Sequence, residues 1–525
     1  MANHSLDIYK NMSFLLANGI HLSDILCFMG IDNIYVYGAG EMGKLTLYDL
    51  SGSNKVVAVF DRSVRTDMSI CIYKTKKTES KIITYEYPLY HPDKIPNDKK
   101  YILITPASMY VEITSDLENR GITKCRFISL NLLLYYGMLY RKSWQKNQNS
   151  YQYLPEKQFL ITGAQFKNKG SQAMLFTTIC ELRKRFRDAV VWCCPNIYDK
   201  RDIDTSEQYN LILLLDGINK DSTLYELLPH LDGIIDVSGY ALTSRECVNA
   251  TEREMHYVRM ARSCQVPIYF MPQSFGPFNY NEEKLKEIKE LLSYAKIIYA
   301  REWESYNLLV NECNLSNIRH SNDLVLQNRS INPEYIYTCV KKKIEFSLPT
   351  RANVALIPNI QNYKNGNFKE VEETYRKVIT KLTSFEKDVY IIAHSDDEQV
   401  CKDIYKEFAN NTKVHLYERE LDCVEFAEFI EHFQYIIASR YHAIVQAYKK
   451  GIPCMVIGWA EKYRELLQIF GQAQYLFDVR SSIDIKKVED TLEMMNASYK
   501  AERKSIRDIL SDVQKENCFD ILKNN

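Results

Sequence analysis

The chain has no excess of charge of either sign, no paired-cysteine motif and no long apolar run, and each absence removes a class of protein. Its 525 residues carry 67 Lys and Arg against 67 Asp and Glu. A formal net charge of zero gives no global field for nucleic acid or an anionic membrane, so any affinity for anions must be local. The 14 cysteines include no C-x-x-C spacing, and the adjacent Cys193 and Cys194 lie in a strand-like run. That speaks against a zinc knuckle or a redox centre, and no other cluster of metal ligands stands out. Unpaired thiols suit a reducing cytosol. No apolar stretch approaches the ~18 residues that span a bilayer, and the opening "MANHSLDIYKNMSFLLANGIHLS" lacks the basic start and sustained apolar core of a secretory leader. The expectation is a cytoplasmic protein, with peripheral contact at the inner face of a membrane left open.

What is present is a length and an apolar content, 46%, that support two to four domains with cores of their own. Short apolar runs, each followed by a turn and a helix-period segment, recur from Asn33 to the C-terminus, which predicts an α/β class with parallel sheets. The first unit, residues 1–150, contains "NIYVYGAGEMGKLTLYDL", "VVAVFDRS" and "YILITPASMYVEITSDLENRGI", three strand candidates. The apolar segment Leu132 to Tyr140 near its end packs between domains or touches a membrane, the former being commoner. A restart at "QFLITGAQFKNKGSQAMLFTTICELRKRF" opens a second unit, residues 155–332. A third, residues 333–525, begins near "ANVALIPNIQNYKNG" and ends in a helical tail. The two later units predict paired Rossmann-like domains facing a cleft.

In "YIIASRYHAIVQAYKKGIPCMVIG", Tyr435 to Ala438 is predicted as a strand and Ala443 to Lys450 as a helix stopped by Gly451. Arg440 and His442 then fall at a strand's carboxyl end and a helix start, the edge where open α/β sheets bind ligands. Arg offers a planar fork to carboxylate or phosphate. The helix end depresses the pKa of His442 and a bound anion raises it, which describes a general acid. Arg301 in "YAREWES" and His394 in "YIIAHSDDEQV" occupy similar strand ends. Asn168, Gly170 and Ser171 in "FKNKGSQA" form a loop whose N–H groups can approach a ligand before a helix from Gln172. In the first unit, Gly38, Gly40 and Gly43 of "GAGEMG" follow a strand, and Asp61 ends the next one about 20 residues on, which is the dinucleotide-binding fingerprint in its expected context. A βα turn with no ligand is the equal alternative. This unit resembles the Rossmann domains found beside sugar-modifying and acyl-transfer enzymes, some of which bind a nucleotide or nucleotide sugar.

"ASRYHAIVQAYKKGIPCMVIGWAEKYRELLQIFG" resembles the C-terminal signature of the polysaccharide pyruvyl transferase family. "NKGSQAMLFTTICELR", "DGIIDVSGYALTS", "VPIYFMPQSFGPF", "AREWESYNLLV" and "SNDLVL" resemble the same family in the right order, over about residues 158–475. The resemblance implies a glycosyltransferase-B-like pair of domains and transfer of pyruvate from phosphoenolpyruvate to two hydroxyls of a sugar, giving a cyclic ketal. The acceptor would be a surface polysaccharide or its lipid-linked precursor. On this reading Arg440, Arg301 and Lys462 are the candidate cations for carboxylate and phosphate, His442 the proton donor, and His442 or His394 the base. Gln273, Ser274 and Tyr240 are candidates for sugar contact, and no cofactor is required. Two departures from the commoner family form, Ser171 in place of an acidic residue and Ser238-Gly239-Tyr240 in place of paired glycines, bear on acceptor contacts. Two other classes remain. One is a nucleotide-sugar glycosyltransferase, though Glu461 and Glu465 are four apart rather than eight and position 469 is Ile. The other is a non-catalytic nucleotide-binding scaffold.

Overall fold

A computed structural model describes residues 2–76, 81–145, 153–195, 208–214, 223–240, 242–244, 248–339, 345, 346, 348 and 353–524. Its strands assemble into three sheets, and all but one of the named strand pairs are parallel. The first holds β1 (Ile34–Tyr37), β2 (Val56–Phe60), β3 (Met68–Lys76), β4 (Lys81–Tyr90), β5 (Tyr101–Ile104) and β6 (Arg126–Ser129) in the order β3-β4-β2-β1-β5-β6. Sequence reading found three of these. The antiparallel pair β3 and β4 escaped it because β4 alternates between exposed and half-buried residues, unlike the continuous apolar runs of strands covered on both faces.

The second sheet holds β7 (Gln158–Thr162), β8 (Val190–Cys194), β9 (Ile212–Leu213), β10 (Gly233–Asp236), β11 (Ile268–Gln273), β12 (Ile297–Ala300) and β13 (Ile318–His320), ordered β13-β12-β11-β10-β7-β8-β9. The third holds β14 (Asn353–Ile357), β15 (Asp388–Ile392), β16 (Val414–Tyr417), β17 (Ile436–Ala438), β18 (Cys454–Gly458) and β19 (Leu476–Asp478), ordered β16-β15-β14-β17-β18-β19. Chain direction across each sheet reverses once, between β7 and β10 in the second and between β14 and β17 in the third. Loops leaving the carboxyl ends on either side of such a reversal splay apart and open a crevice.

These crevices face one another. Gln172 of the second unit accepts a hydrogen bond from Cys423 N of the third at 2.7 Å. After the long helix Ile485–Val513 the chain returns to the second unit. There Cys518 N donates to Gln327 at 2.7 Å, Asn517 donates to Glu181 at 2.8 Å, and Asp520 pairs with Arg185 at 2.6 Å. The fold is thus α/β, with two Rossmann-like lobes in a glycosyltransferase-B-like arrangement after a further Rossmann-like unit. The helix Leu130–Gln145 joins that first unit to the lobes. Leu132, Leu133, Leu134 and Tyr136 are buried, packed against helices Ala2–Ala17 and Leu22–Phe28 on one side and against Thr223–Leu227 and β9 on the other. Burial between units accounts for its apolar character. No helix among the described residues is long and apolar enough to cross a membrane.

Candidate functional site

The turn after β17 places the two residues that stand out most in the sequence. Its helix begins at Tyr441, earlier than the predicted Ala443, with Arg440 as the residue before it, and it ends where Gly451 adopts φ +67°, a conformation that glycine takes without strain. A buried polar shell pins the turn. Asn359 Nδ2 and Tyr463 OH each donate to the Ser439 carbonyl at 2.9 Å, while Asn362 Nδ2 lies 3.0 Å and Tyr375 OH 2.8 Å from Ser439 Oγ. Each of these groups would be costly to bury unpaired, so the shell fixes the direction in which Arg440 and His442 leave the backbone.

His442 sits at the junction of the lobes. A Cβ built on Gly170 would stand 2.4 Å from its Nδ1, so the helix Lys169–Arg185 of the second unit approaches the imidazole edge at a distance only glycine permits. On the other side Asp323 Oδ2 lies 3.6 Å from Nε2, beyond hydrogen-bond reach, and Nε2 has no partner. Burial pushes the imidazole down from an ordinary 6.5 to about 4; Asp323 resists, and Arg301 and Lys462 add to the depression. The depression expected from the sequence is present, with desolvation rather than the helix end as its leading cause.

The predicted cations differ in how far they are already neutralised. Arg301 is buried and donates to Glu302 at 2.7 Å, Asp323 at 3.1 Å and Ser274 Oγ at 2.8 Å, with its guanidinium 4.2 Å from the centre of the Tyr441 ring. Burial opposes its charge, but Glu302, Tyr441 and Asp323 hold the pKa above its ordinary value. Arg440 grips Asp397 with a two-point fork, Nε to Oδ2 at 2.6 Å and Nη2 to Oδ1 at 2.7 Å. Arg440, one of the three cations expected to meet the ligand, thus has its charge matched by a fully buried carboxylate. Lys462 lies over three rings, Tyr240 at 5.4 Å, Trp459 at 5.5 Å and Tyr441 at 5.8 Å, within the range of cation–π attraction. Tyr240 therefore presents a ring face to Lys462 from the other lobe.

Three further expectations are corrected. The side chain of Asn168 accepts from the N–H groups of Gly170 and Ser171 at 2.9 and 3.2 Å, and Ser171 Oγ accepts from Gln165 N at 2.8 Å. The helix starts at Lys169, so this loop caps its own helix rather than offering free N–H groups. Gln273 is buried with both ends bonded, Nε2 to Asp236 and Oε1 from Gly239 N at 2.8 and 2.9 Å; it braces the Ser238–Gly239 turn rather than reaching a sugar. Ser274 Oγ serves Arg301. His394 is buried beside Phe426, its Nε2 unpartnered, and burial with the nearby Lys169 charge drives its pKa well below the ordinary range. It is a neutral imidazole, compatible with the predicted role of base.

Sequence reasoning missed Asp323, Asp397 and Lys169. The segments containing all three were visible, but nothing local says that Asp323 meets Arg301 and His442, or that Asp397 meets Arg440. Glu465, weighed as half of a glutamate pair, instead accepts from the backbone N–H groups of Trp303 and Glu304 at 2.6 and 3.1 Å. It joins the lobes by capping a helix of the other one.

In the first unit Gly38 has φ +102°, and its added Cβ would stand 2.6 Å from Thr105 Oγ1; that of Gly43 would stand 2.0 Å from the Gly38 carbonyl oxygen. Nothing lies within 4 Å of a Cβ on Gly40. Asp61 accepts from Ala39 N at 2.7 Å and from Ser63 N and Oγ at 2.9 and 2.6 Å, and these bonds outweigh burial to lower its pKa. Its oxygens thus brace the glycine turn. Only the Gly40 side of the turn is open. Among the described residues no group of three or more His, Cys, Asp or Glu is placed to hold a metal ion.

The chain thus brings His442, Arg301, Arg440 and Lys462 together at the junction of two α/β lobes. The polysaccharide pyruvyl transferase family model matches residues 168–461, and the chain belongs to that family. No curated protein matches it. Among solved structures it is similar to the UDP-GlcNAc 2-epimerase from Methanocaldococcus jannaschii (13% identity, TM-score 0.45, covering 65% of this chain and 92% of that one). It is also similar to the UDP-GlcNAc 2-epimerase from Neisseria meningitidis bound to UDP-GlcNAc (12%, 0.45, 67% and 94%) and to a glycosyltransferase from Rickettsia africae (10%, 0.44, 71% and 100%).

Proposed function

We propose that this chain transfers pyruvate from phosphoenolpyruvate to two hydroxyls of a saccharide, forming a cyclic ketal and releasing phosphate, with a surface polysaccharide or its lipid-linked precursor as acceptor. The observation that carries the reading is a buried, neutral imidazole with an unpartnered nitrogen, His442, between two lobes and under the charges of Arg301 and Lys462, with His442 and Arg301 inside the residues matched by the family. A bound anion adds negative charge beside His442 and raises its pKa, loading the proton when the donor arrives. His442 delivers that proton to the methylene carbon, which becomes a methyl group, and the adjacent carbon becomes electrophilic. One sugar hydroxyl attacks and its proton replaces the one His442 gave. The second attacks as the carbon–phosphate oxygen bond breaks, and its proton leaves with phosphate. His394, also neutral, is the alternative base. The protein works on the cytoplasmic side, peripheral to a membrane when the acceptor is lipid-linked.

The test is phosphate release from phosphoenolpyruvate by the purified full chain, with galactosides, glucosides and mannosides as acceptors and nucleotide sugars as the competing donors. Acceptor-dependent phosphate release that disappears in His442→Ala supports the reading. Nucleotide release alone replaces it with a glycosyltransferase.

A further inference from the structure

A ligand carrying both carboxylate and phosphate needs positive charge that the protein has not already cancelled. Around His442 and Arg440, two guanidinium groups, Arg301 and Arg440, face three buried carboxylates, Glu302, Asp323 and Asp397. That set alone repels an anion. A cation that keeps its charge for a ligand is required, and no local sequence signal points to it.

Lys169 stands in the first turn of its helix, 9% exposed. Among the described residues its side chain makes no hydrogen bond and no ion pair. Burial lowers its pKa, and the groups that resist are Glu420, Glu398, Cys423 and Asp397. Glu420 and Glu398 are exposed, where solvent and salt screen them, and Asp397 is bound by Arg440. Its neighbour Lys167 spans the same interlobe gap to pair with Asp396 at 2.6 Å, so a carboxylate partner was within the reach of this segment and Lys169 does without one. Its charge also reaches His394, whose protonation is opposed, after burial, by Lys169, Arg440 and His442. A buried ammonium with no bonded partner is a costly arrangement for an empty protein, and an anion beside it relieves it.

We propose that Lys169 is a donor-binding residue, holding one anionic end of phosphoenolpyruvate from the second unit. The assignment rests on the function proposed above. Phosphate release is measured against phosphoenolpyruvate concentration for wild type, Lys169→Met and Lys169→Arg, together with thermal unfolding without substrate. Lys169→Met is expected to raise the donor KM about 10- to 100-fold, the loss of one charged hydrogen bond. The acceptor KM stays unchanged and the substrate-free Tm is equal to or above wild type, because an unpaired buried charge has gone; Lys169→Arg recovers part of the affinity. A wild-type donor KM in Lys169→Met, or a lowered Tm with both KM values changed alike, overturns the assignment while leaving the pyruvyl transfer intact. Wild type that releases no phosphate with any acceptor overturns the functional reading and the assignment with it.

Discussion

Replacing His442 with Gln removes a titrating group while keeping a polar side chain between Gly170 and Asp323, and the structure sets the size and sign of the effect. In the unfolded chain the imidazole takes up a proton as pH falls through 6.5; in the folded chain it does so only near pH 4. Between those values the unfolded state holds more protons, so wild type loses stability as pH falls, and below about 4 the loss is complete. The difference of some 2.5 units amounts to about 2.5 kcal/mol already at about pH 4.5 and to nearly nothing at about pH 7.5. Other groups titrate too, but they are common to both proteins and cancel in the comparison.

Urea denaturation of wild type and His442→Gln across this range is the assay. The free-energy gap between them should shift in favour of the variant by about 2–3 kcal/mol on acidification. If the two curves stay parallel from neutral to acidic pH, the imidazole is solvated, the close contact with Gly170 is not maintained, and the argument for an anion-loaded proton donor fails.

Three other outcomes follow from single contacts. Gly170→Ala puts a methyl group against His442 Nδ1 and should lower kcat about tenfold or more by displacing the imidazole; alanine is better than glycine in a helix by about 1 kcal/mol, so unchanged activity in a folded variant would refute the packing. Glu465→Ala removes the acceptor for two backbone N–H groups of the opposite lobe and should cost about 1–2 kcal/mol in unfolding measurements, as loss of a helix cap does, with Glu465→Gln intermediate; no loss would mean that the lobes are held elsewhere. In the first unit, Gly43→Ala meets the Gly38 carbonyl and should unfold that unit by circular dichroism, whereas Gly40→Val should fold normally and abolish any thermal stabilisation by dinucleotides or nucleotide sugars. Absence of stabilisation in wild type by the whole panel would leave the glycine turn a packing device.

The strand-to-helix turns were legible because both sides of each turn obey local rules: an apolar run that is buried on two faces, then a helix start. Arg301, His394, Arg440 and His442 were all found that way, and each does lie at the carboxyl edge of a sheet. Their electrical state was not legible, since it depends on which side chains the opposite lobe or a neighbouring strand brings within a few ångströms. Asp323 and Asp397 sit in segments whose periodicity marks them only as loop and cap residues, yet they decide that Arg301 and Arg440 are neutralised and that His442 is held without a hydrogen bond at Nε2. Lys169 stands beside the loop glycine Gly170, and its significance lies in the partner it lacks, a property no sequence displays. A cation's usefulness to a ligand is the charge left over after folding. By that criterion the arginines, which looked strongest in the sequence, order the site, and Lys169 is left to bind.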